Sequence, residues 1–176
     1  PTYGGPVYFI RNVVYNATSL SLKLHNWCTG LEIYHNTLVS AGGAFRSYPR
    51  WQNAAIKNNL FLGVSRYAAE TGSPHPATVL DYNGWRQAED DIFIKWDDGV
   101  GYQRYDSLAA FTRGTGHGEH SMLVDFDCFV NLEPPQEGST YGARFGDYGL
   151  AQSCPAVDAG TILPTVITVY QDRSFS

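Results

Sequence analysis

Three phrases near the start of the chain echo one another: Phe9, Asn12 and Val14, then Ile33, Asn36 and Leu38, then Ile56, Asn59 and Phe61. The asparagines lie 24 and then 23 residues apart, and their apolar partners keep step with them. A period of this size belongs to stacked structural units, each too small to bury its own apolar face. Around the phrases, residues 7–14, 20–24, 31–39 and 54–62 are short runs of β-formers broken by Gly, Asn and Ser. Leu20, Leu22 and Leu24 alternate with polar residues, as do Leu31 and Ile33, which is the period of a strand and not of a helix. Two or three short strands in about 23 residues make one turn of a solenoid. Ile33 should then lie on Ile56 and Leu38 on Phe61, about 4.8 Å apart. The repeated Asn suits a corner, where the backbone leaves its ladder and a side-chain amide can bond both exposed backbone and the next Asn.

The tail adds phrases in a fixed order: DYNGW at 81–85, SLAAFTRGTGHGEHS at 107–121, DFDCFVN at 125–131 and DYGLAQSCPAVDAG at 147–160. With the spaced asparagines, these resemble the C-terminal coils and closing segment of the right-handed parallel β-helix (pectate-lyase-like) superfamily. The chain departs from that pattern at Phe126 and Cys154. The resemblance implies an all-β, right-handed parallel β-helix of about three coils, with an irregular C-terminal cap containing one short helix. Residues 1–69 would form the coils, and residues 70–176 a loop excursion and closing segment of the same domain. Within the tail, Asp106 can cap a helix, Leu108 and Phe111 share its face, and Gly114 can end it. The segment 70–101 reads as an irregular excursion, with a strand over residues 92–96.

Charge is divided along the chain. Residues 1–69 hold six basic residues against Glu32 alone, whereas residues 70–176 hold six against 16 acids. A cationic repeat half suits an anionic ligand such as an acidic polysaccharide. The net charge of −5 argues against a general nucleic-acid binder, which needs a basic surface. No stretch approaches the roughly 20 apolar residues of a membrane-spanning helix. Only 16% of residues are charged while Gly, Asn, Tyr and Ser abound, a balance expected of an extracellular or secreted β-protein. Cys128 and Cys154 both fall in the tail and could pair in an oxidising compartment; Cys28 stands apart.

The resemblance sets an expectation for chemistry: binding or processing of an extracellular polysaccharide, with β-elimination on a polyuronate as the reaction. Elimination requires a neutralised uronate carboxylate and a base for the C5 proton. Lys23 and Arg46 are 23 residues apart and should be neighbours on adjacent coils, with His25 and Arg50 close by. Lys23 or His25 is the candidate base, and Arg46 and Arg50 are candidate carboxylate clamps. Trp27, Tyr48, Trp51, Tyr82, Trp85 and Trp96 fall in turns or loops; of these, Trp51, Tyr82 and Trp85 are candidates to stack on sugar faces, or else rings that cover the coils. No cofactor is required. Ca²⁺ would suit Asp90-Asp91, Asp97-Asp98 or Asp125 with Asp127, although Asp97-Asp98-Gly99 also has hairpin-turn chemistry. His117 and His120 have a metal-like spacing, which the resemblance assigns instead to the closing turn. The alternative function is a non-catalytic structural or adhesin-type solenoid that stacks end to end into a filament. The first coil has no visible cap, so either further N-terminal coils or self-association at that end is expected.

Overall fold

The computed structural model describes residues 4–25, 28–48, 51–72, 78–89, 92–136 and 147–163. It is an all-β parallel solenoid of about three turns with one short α-helix. The first turn comprises β1 (Val7–Ile10), β2 (Val13–Ala17) and β3 (Leu20–Leu24). The second comprises β4 (Thr29–Tyr34), β5 (Thr37–Ser40) and β6 (Gly43–Ser47), and the third β7 (Gln52–Lys57), β8 (Leu60–Gly63) and β9 (Ala69–Thr71). A shorter set then continues the stack: β10 (Val79–Asp81), β11 (Gly84–Trp85) and β12 (Ile94–Asp97). The coils therefore run on through much of the segment that the sequence suggested was an excursion. The strands build three parallel sheets in the orders β1-β4-β7-β10, β2-β5-β8-β11 and β3-β6-β9-β12.

Register stacks like on like. One column runs Phe9, Ile33, Ile56, Leu80, a second Val14, Leu38, Phe61, Trp85, and a third Leu22, Phe45, Ala69, Ile94. The expected pairs Ile33 on Ile56 and Leu38 on Phe61 are present. Small Ala69 follows Phe45 in the third column while the second grows to Phe61 and Trp85, so large and small residues alternate across the interior. Trp85 stacks on Phe61 at 4.3 Å and 13°, and Phe61 meets Phe45 at 5.6 Å.

The asparagines form one ladder. Asn36 Oδ1 accepts from the Asn12 N–H at 2.9 Å and from Asn12 Nδ2 at 3.0 Å. Asn59 Oδ1 does the same for Asn36, at 3.0 and 2.8 Å, and Asn83 Oδ1 for Asn59, at 3.0 and 2.9 Å. Each Nδ2 from Asn36 onward also donates to a carbonyl of the preceding coil: Phe9, Ile33 and Ile56 respectively. Ser121 closes the series, its Oγ accepting from the Asn83 N–H at 3.1 Å. The residue before each rung is left-handed: Arg11 at φ 56°, His35 at 55°, Asn58 at 58° and Tyr82 at 55°. Such a φ is uncommon outside glycine, and here the ladder bonds hold it at every corner.

Beyond β12 the chain reverses. β13 (Tyr102–Tyr105) pairs antiparallel with β12 across a turn in which Asp97 Oδ1 accepts from the Gly99 N–H and Asp98 Oδ1 from the Val100 N–H. Asp97-Asp98-Gly99 thus makes the hairpin turn that its sequence suggests. Helix α1 (Leu108–Thr115) then closes this end, with Phe111 fully buried against Trp96 and Tyr105. Its N-cap is Ser107 rather than Asp106: the Ser107 Oγ accepts from the Ala110 N–H at 3.3 Å, and Asp106 instead accepts from the Ser107 hydroxyl. Its stop is Gly116, left-handed at φ 72°, rather than Gly114.

After the helix, β14 (Met122–Leu123) pairs parallel with β11 and extends the second sheet, and the described residues that follow, with the antiparallel pair β15 (Phe129–Asn131) and β16 (Asp147–Leu150), lie over that sheet's outer face. Val39 and Leu62, the outward neighbours of Leu38 and Phe61, pack there with Val124, Phe126, Phe129 and Leu132. At β5 and β8 that sheet is therefore buried on both faces. A Cys128–Cys154 disulfide joins the parts of this layer, and Cys28 lies outside it, its Sγ 3.4 Å from the His25 carbonyl.

Candidate functional site

Strand alternation sends one residue of every strand in the third sheet to the outer face at the same height. Register partners give the row Lys23, Arg46, Glu70, Lys95 and, across the antiparallel pair, Arg104. The expected adjacency of Lys23 and Arg46 is met. Glu70 is inserted between the cations: Arg46 Nε lies 3.4 Å from its Oε2 and Lys95 Nζ 2.8 Å from its Oε1. Arg46 is therefore partly committed to a carboxylate of its own chain, which changes its expected role as a clamp open to substrate. The bond to Glu70, opposed by burial and reinforced by the Glu70 charge and by Tyr67, holds the Lys95 ammonium above its ordinary pKa, so it stays charged at neutral pH.

Tyrosines flank the row. Tyr48 lies under two cations, Lys23 Nζ at 5.4 Å and the Arg46 guanidinium at 5.5 Å from its centroid, and His25 packs edge-on against the same ring at 4.7 Å. Lys95 Nζ sits 5.0 Å from the Tyr67 ring and 5.1 Å from that of Tyr102. Burial, followed by the charges of Glu70 and Asp97, raises the Tyr102 pKa, so its hydroxyl remains protonated. Cation–π contacts fix the long basic side chains above the sheet and keep their charged ends outward. Lys23, His25, Arg46 and Tyr48 thus form one patch, and Arg50 lies outside the described residues.

The tryptophan expectations are corrected. Trp51 is only 2% exposed and packs on Phe45, and Trp85 is 0% exposed and stacks on Phe61, so both are core residues with no ring face for a sugar. Trp96 is buried against Phe111 and His117. Turn-like flanks hid the fact that a large ring in a short coil must fill the interior. Trp27, Asp90 and Asp91 lie outside the described residues. Glu70 and Lys95 lie beyond residue 69, where the sequence reading ends the coils, although successive steps of 23, 24 and 25 residues from Lys23 reach Arg46 and then both of them. Arg104 joins only through the chain reversal, which no period announces.

Tyr82 lies elsewhere, at the corner between the first two sheets. Its ring stacks on His120 at 4.5 Å and 3°, with Lys57 Nζ 5.8 Å from its centroid. His120 Nδ1 is 2.8 Å from Asp81 Oδ2, while Asp81 Oδ1 accepts from the His120 N–H at 2.7 Å and the Tyr82 N–H at 2.9 Å. Burial by itself would raise the Asp81 carboxyl, but the bonds from His120 and Tyr82 outweigh it and hold its pKa low. The bond to Asp81 raises that of His120. His117 differs: burial lowers its pKa against the pull of Asp81. The two histidines of the metal-like spacing therefore serve an aromatic cluster and an ion pair, and no group of three or more metal-binding side chains occurs among the described residues.

This pair gives a pH prediction. The depressed Asp81 contributes stability that is full above the unfolded value of about 3.9 and is lost as pH falls through its folded pKa. The raised His120 contributes stability that is full below about 6.5 and is lost as pH rises through its folded pKa. His120→Ala should therefore destabilise most between about pH 4 and 6.5, with the difference shrinking on either side. Urea midpoints of both proteins across a pH series check this, and a gap that is constant with pH would contradict it.

Compared with protein-family models, with curated proteins and with solved structures, the chain matches none.

Proposed function

We propose that this chain binds an acidic polysaccharide along the outer face of the third sheet, as the pectate-lyase-like resemblance of its tail phrases suggests. One observation carries the reading: Lys23 and Arg46 stand in register on adjacent coils over a shared Tyr48 ring. A linear polyanion lying across the strands would meet Lys23 and Arg46 on the first two coils and Lys95 on the fourth, with Glu70 between them, and a tyrosine edge can pack against the apolar parts of its rings. The row carries four cations and one carboxylate, so its local charge opposes that of the acidic tail half. The extracellular setting follows from the same reading and agrees with a disulfide in the tail.

On a polyuronate, the chemistry this patch suits is β-elimination. Lys23 or His25 would take the C5 proton, Arg46 would offset the uronate charge, and the bond from C4 to the glycosidic oxygen would break as the C4–C5 double bond forms. The leaving oxygen gains a proton. The competing structural reading, end-to-end stacking through the coil ladder, is less well supported. β1, β2 and β3 are edge strands with Val7, Tyr8 and Val13 exposed, but the opposite end is covered by α1 and the reversed β13.

Affinity electrophoresis in gels containing polygalacturonate tests the binding. Retardation should occur with the polyuronate and not with a neutral glucan, weaken with added salt, and fall about tenfold in Lys23→Ala/Arg46→Ala. Equal retardation by the neutral polymer, or none lost in the double variant, would overturn the reading. Rising absorbance at the ultraviolet edge reports the unsaturated product; a flat trace across a panel of polyuronates would remove elimination and leave binding.

A further inference from the structure

A second site lies at the corner of the coils, independent of the cationic row. The left-handed residues His35, Asn58 and Tyr82 each precede a ladder asparagine and occupy the same place on successive coils. They line a cavity of about 490 Å³. The C-terminal segment 158–162 lines it as well, and its apolar lining includes Leu60, Met122 and Leu150. The corner and the segment are tied together. Asn58 Nδ2 donates to the Thr161 carbonyl at 2.8 Å, and Asn58 Oδ1 accepts from the Thr161 N–H at 2.9 Å. The side-chain amide thus pairs with Thr161 as a neighbouring strand would. The segment's root is fixed through the Cys128–Cys154 disulfide and the second apolar layer. A cavity whose lining is held in this way, with an apolar part and a few polar groups, has the character of a preformed small-molecule site.

The lining selects a ligand class. Asp158 is its only Asp, Glu, Lys or Arg. Burial, with the nearby Arg11 charge, lowers the His35 pKa, so this imidazole is neutral at neutral pH and can both donate and accept. Thr37 adds a hydroxyl with the same dual capacity. A carboxylate among neutral groups disfavours an anionic ligand and accepts from hydroxyl donors. We propose that this groove binds a neutral, hydroxyl-rich ring the size of one sugar unit, its C–H face against Leu60, Met122 and Leu150 and its hydroxyls towards Asp158, His35 and Thr37. This chemistry is opposite to that of the cationic row, so the two sites are separable.

Saturation-transfer NMR and titration calorimetry on the whole chain, with glucose, galactose, mannose and galacturonate as probes, test it. At least one neutral hexose should bind, and galacturonate should bind about tenfold more weakly. Asp158→Asn keeps a residue tolerant of the left-handed φ of 56° and should lower hexose affinity about tenfold, with the thermal midpoint unchanged. Ala159→Leu fills the groove and should abolish binding, whereas Lys23→Ala/Arg46→Ala should leave it intact. The proposal is overturned if no hexose binds, if galacturonate binds as tightly as the hexoses, or if affinity is unchanged in Asp158→Asn. Loss of hexose binding in the Lys23→Ala/Arg46→Ala variant alone would move the site to the cationic row and overturn it equally.

Discussion

Replacing Asn59 with alanine should destabilise the protein by about 4 kcal/mol, the largest effect expected of truncating any single polar side chain in the coils to alanine. Asn59 is fully buried at the centre of the ladder. Its Oδ1 accepts from both the backbone and the side chain of Asn36, and its Nδ2 donates to Ile33 O, Lys57 O and Asn83 Oδ1. Alanine would leave the Asn36 N–H and the Ile33 carbonyl without these partners in the interior, at about 1–3 kcal/mol for each orphaned group. The corner also depends on the ladder: Asn58 sits at φ 58°, and losing the bonds on either side of it removes the restraint on that conformation. Asn59→Asp separates the contributions, because it keeps the acceptor, removes both donor hydrogens and buries a charge; it should be at least as damaging. Urea denaturation followed by circular dichroism measures both. A loss below about 1 kcal/mol for Asn59→Ala would show that the ladder is incidental to stability.

Trp85→Ala should cost about 3–5 kcal/mol, within the range for removing a large ring from a core. The indole is at 0% exposure in the column Val14, Leu38, Phe61, Trp85 and lies flat on Phe61. Neighbouring strands hold Phe61 and Leu60 in register with β11, so the surroundings have little freedom to collapse into the space. Trp85→Phe retains much of the volume and should cost roughly half as much. The same experiment separates core from surface: Lys23→Ala, on an exposed side chain, should stay within about 0.5 kcal/mol of the parent protein. If Trp85→Ala were equally mild, the indole would not be packing the interior as described.

The coil stack was the most legible part of the molecule, and its continuation shows how far the legibility extended. The step from Asn59 to Asn83 is 24 residues, the interval that also separates Asn12 from Asn36, and DYN at 81–83 supplies a fourth rung beyond the three phrases. Glu70 and Lys95 follow from the same rule. Where a residue's neighbour lies one coil away, the contact sits at a nearly fixed sequence offset, and periodicity reveals it. The helix shows a finer limit. Ser107 and Asp106 are both good capping residues, but only Ser107 directly precedes the first helical turn and reaches the Ala110 N–H. Gly114 resembled a helix stop, yet it is still helical; its lack of a side chain admits the Tyr105 ring, whose Cε1 would lie 2.5 Å from an added Cβ.

By itself, then, the amino-acid order determined the parallel stack, the ladder of Asn12, Asn36 and Asn59, the core columns and the neighbouring of Lys23 with Arg46. All of these are nearest-neighbour relations along one axis, repeated at one spacing. Tertiary structure decided which aromatic rings turn inward, how β13 reverses and brings Arg104 to the cationic row, and how the tail covers the second sheet. Those outcomes join residues such as Asn58 and Thr161, which are 103 positions apart and meet only because the tail folds back across stacked coils. No repeating offset encodes such a contact; it is set by which apolar face is left uncovered once the coils have formed, here the outer side of Val39 and Leu62.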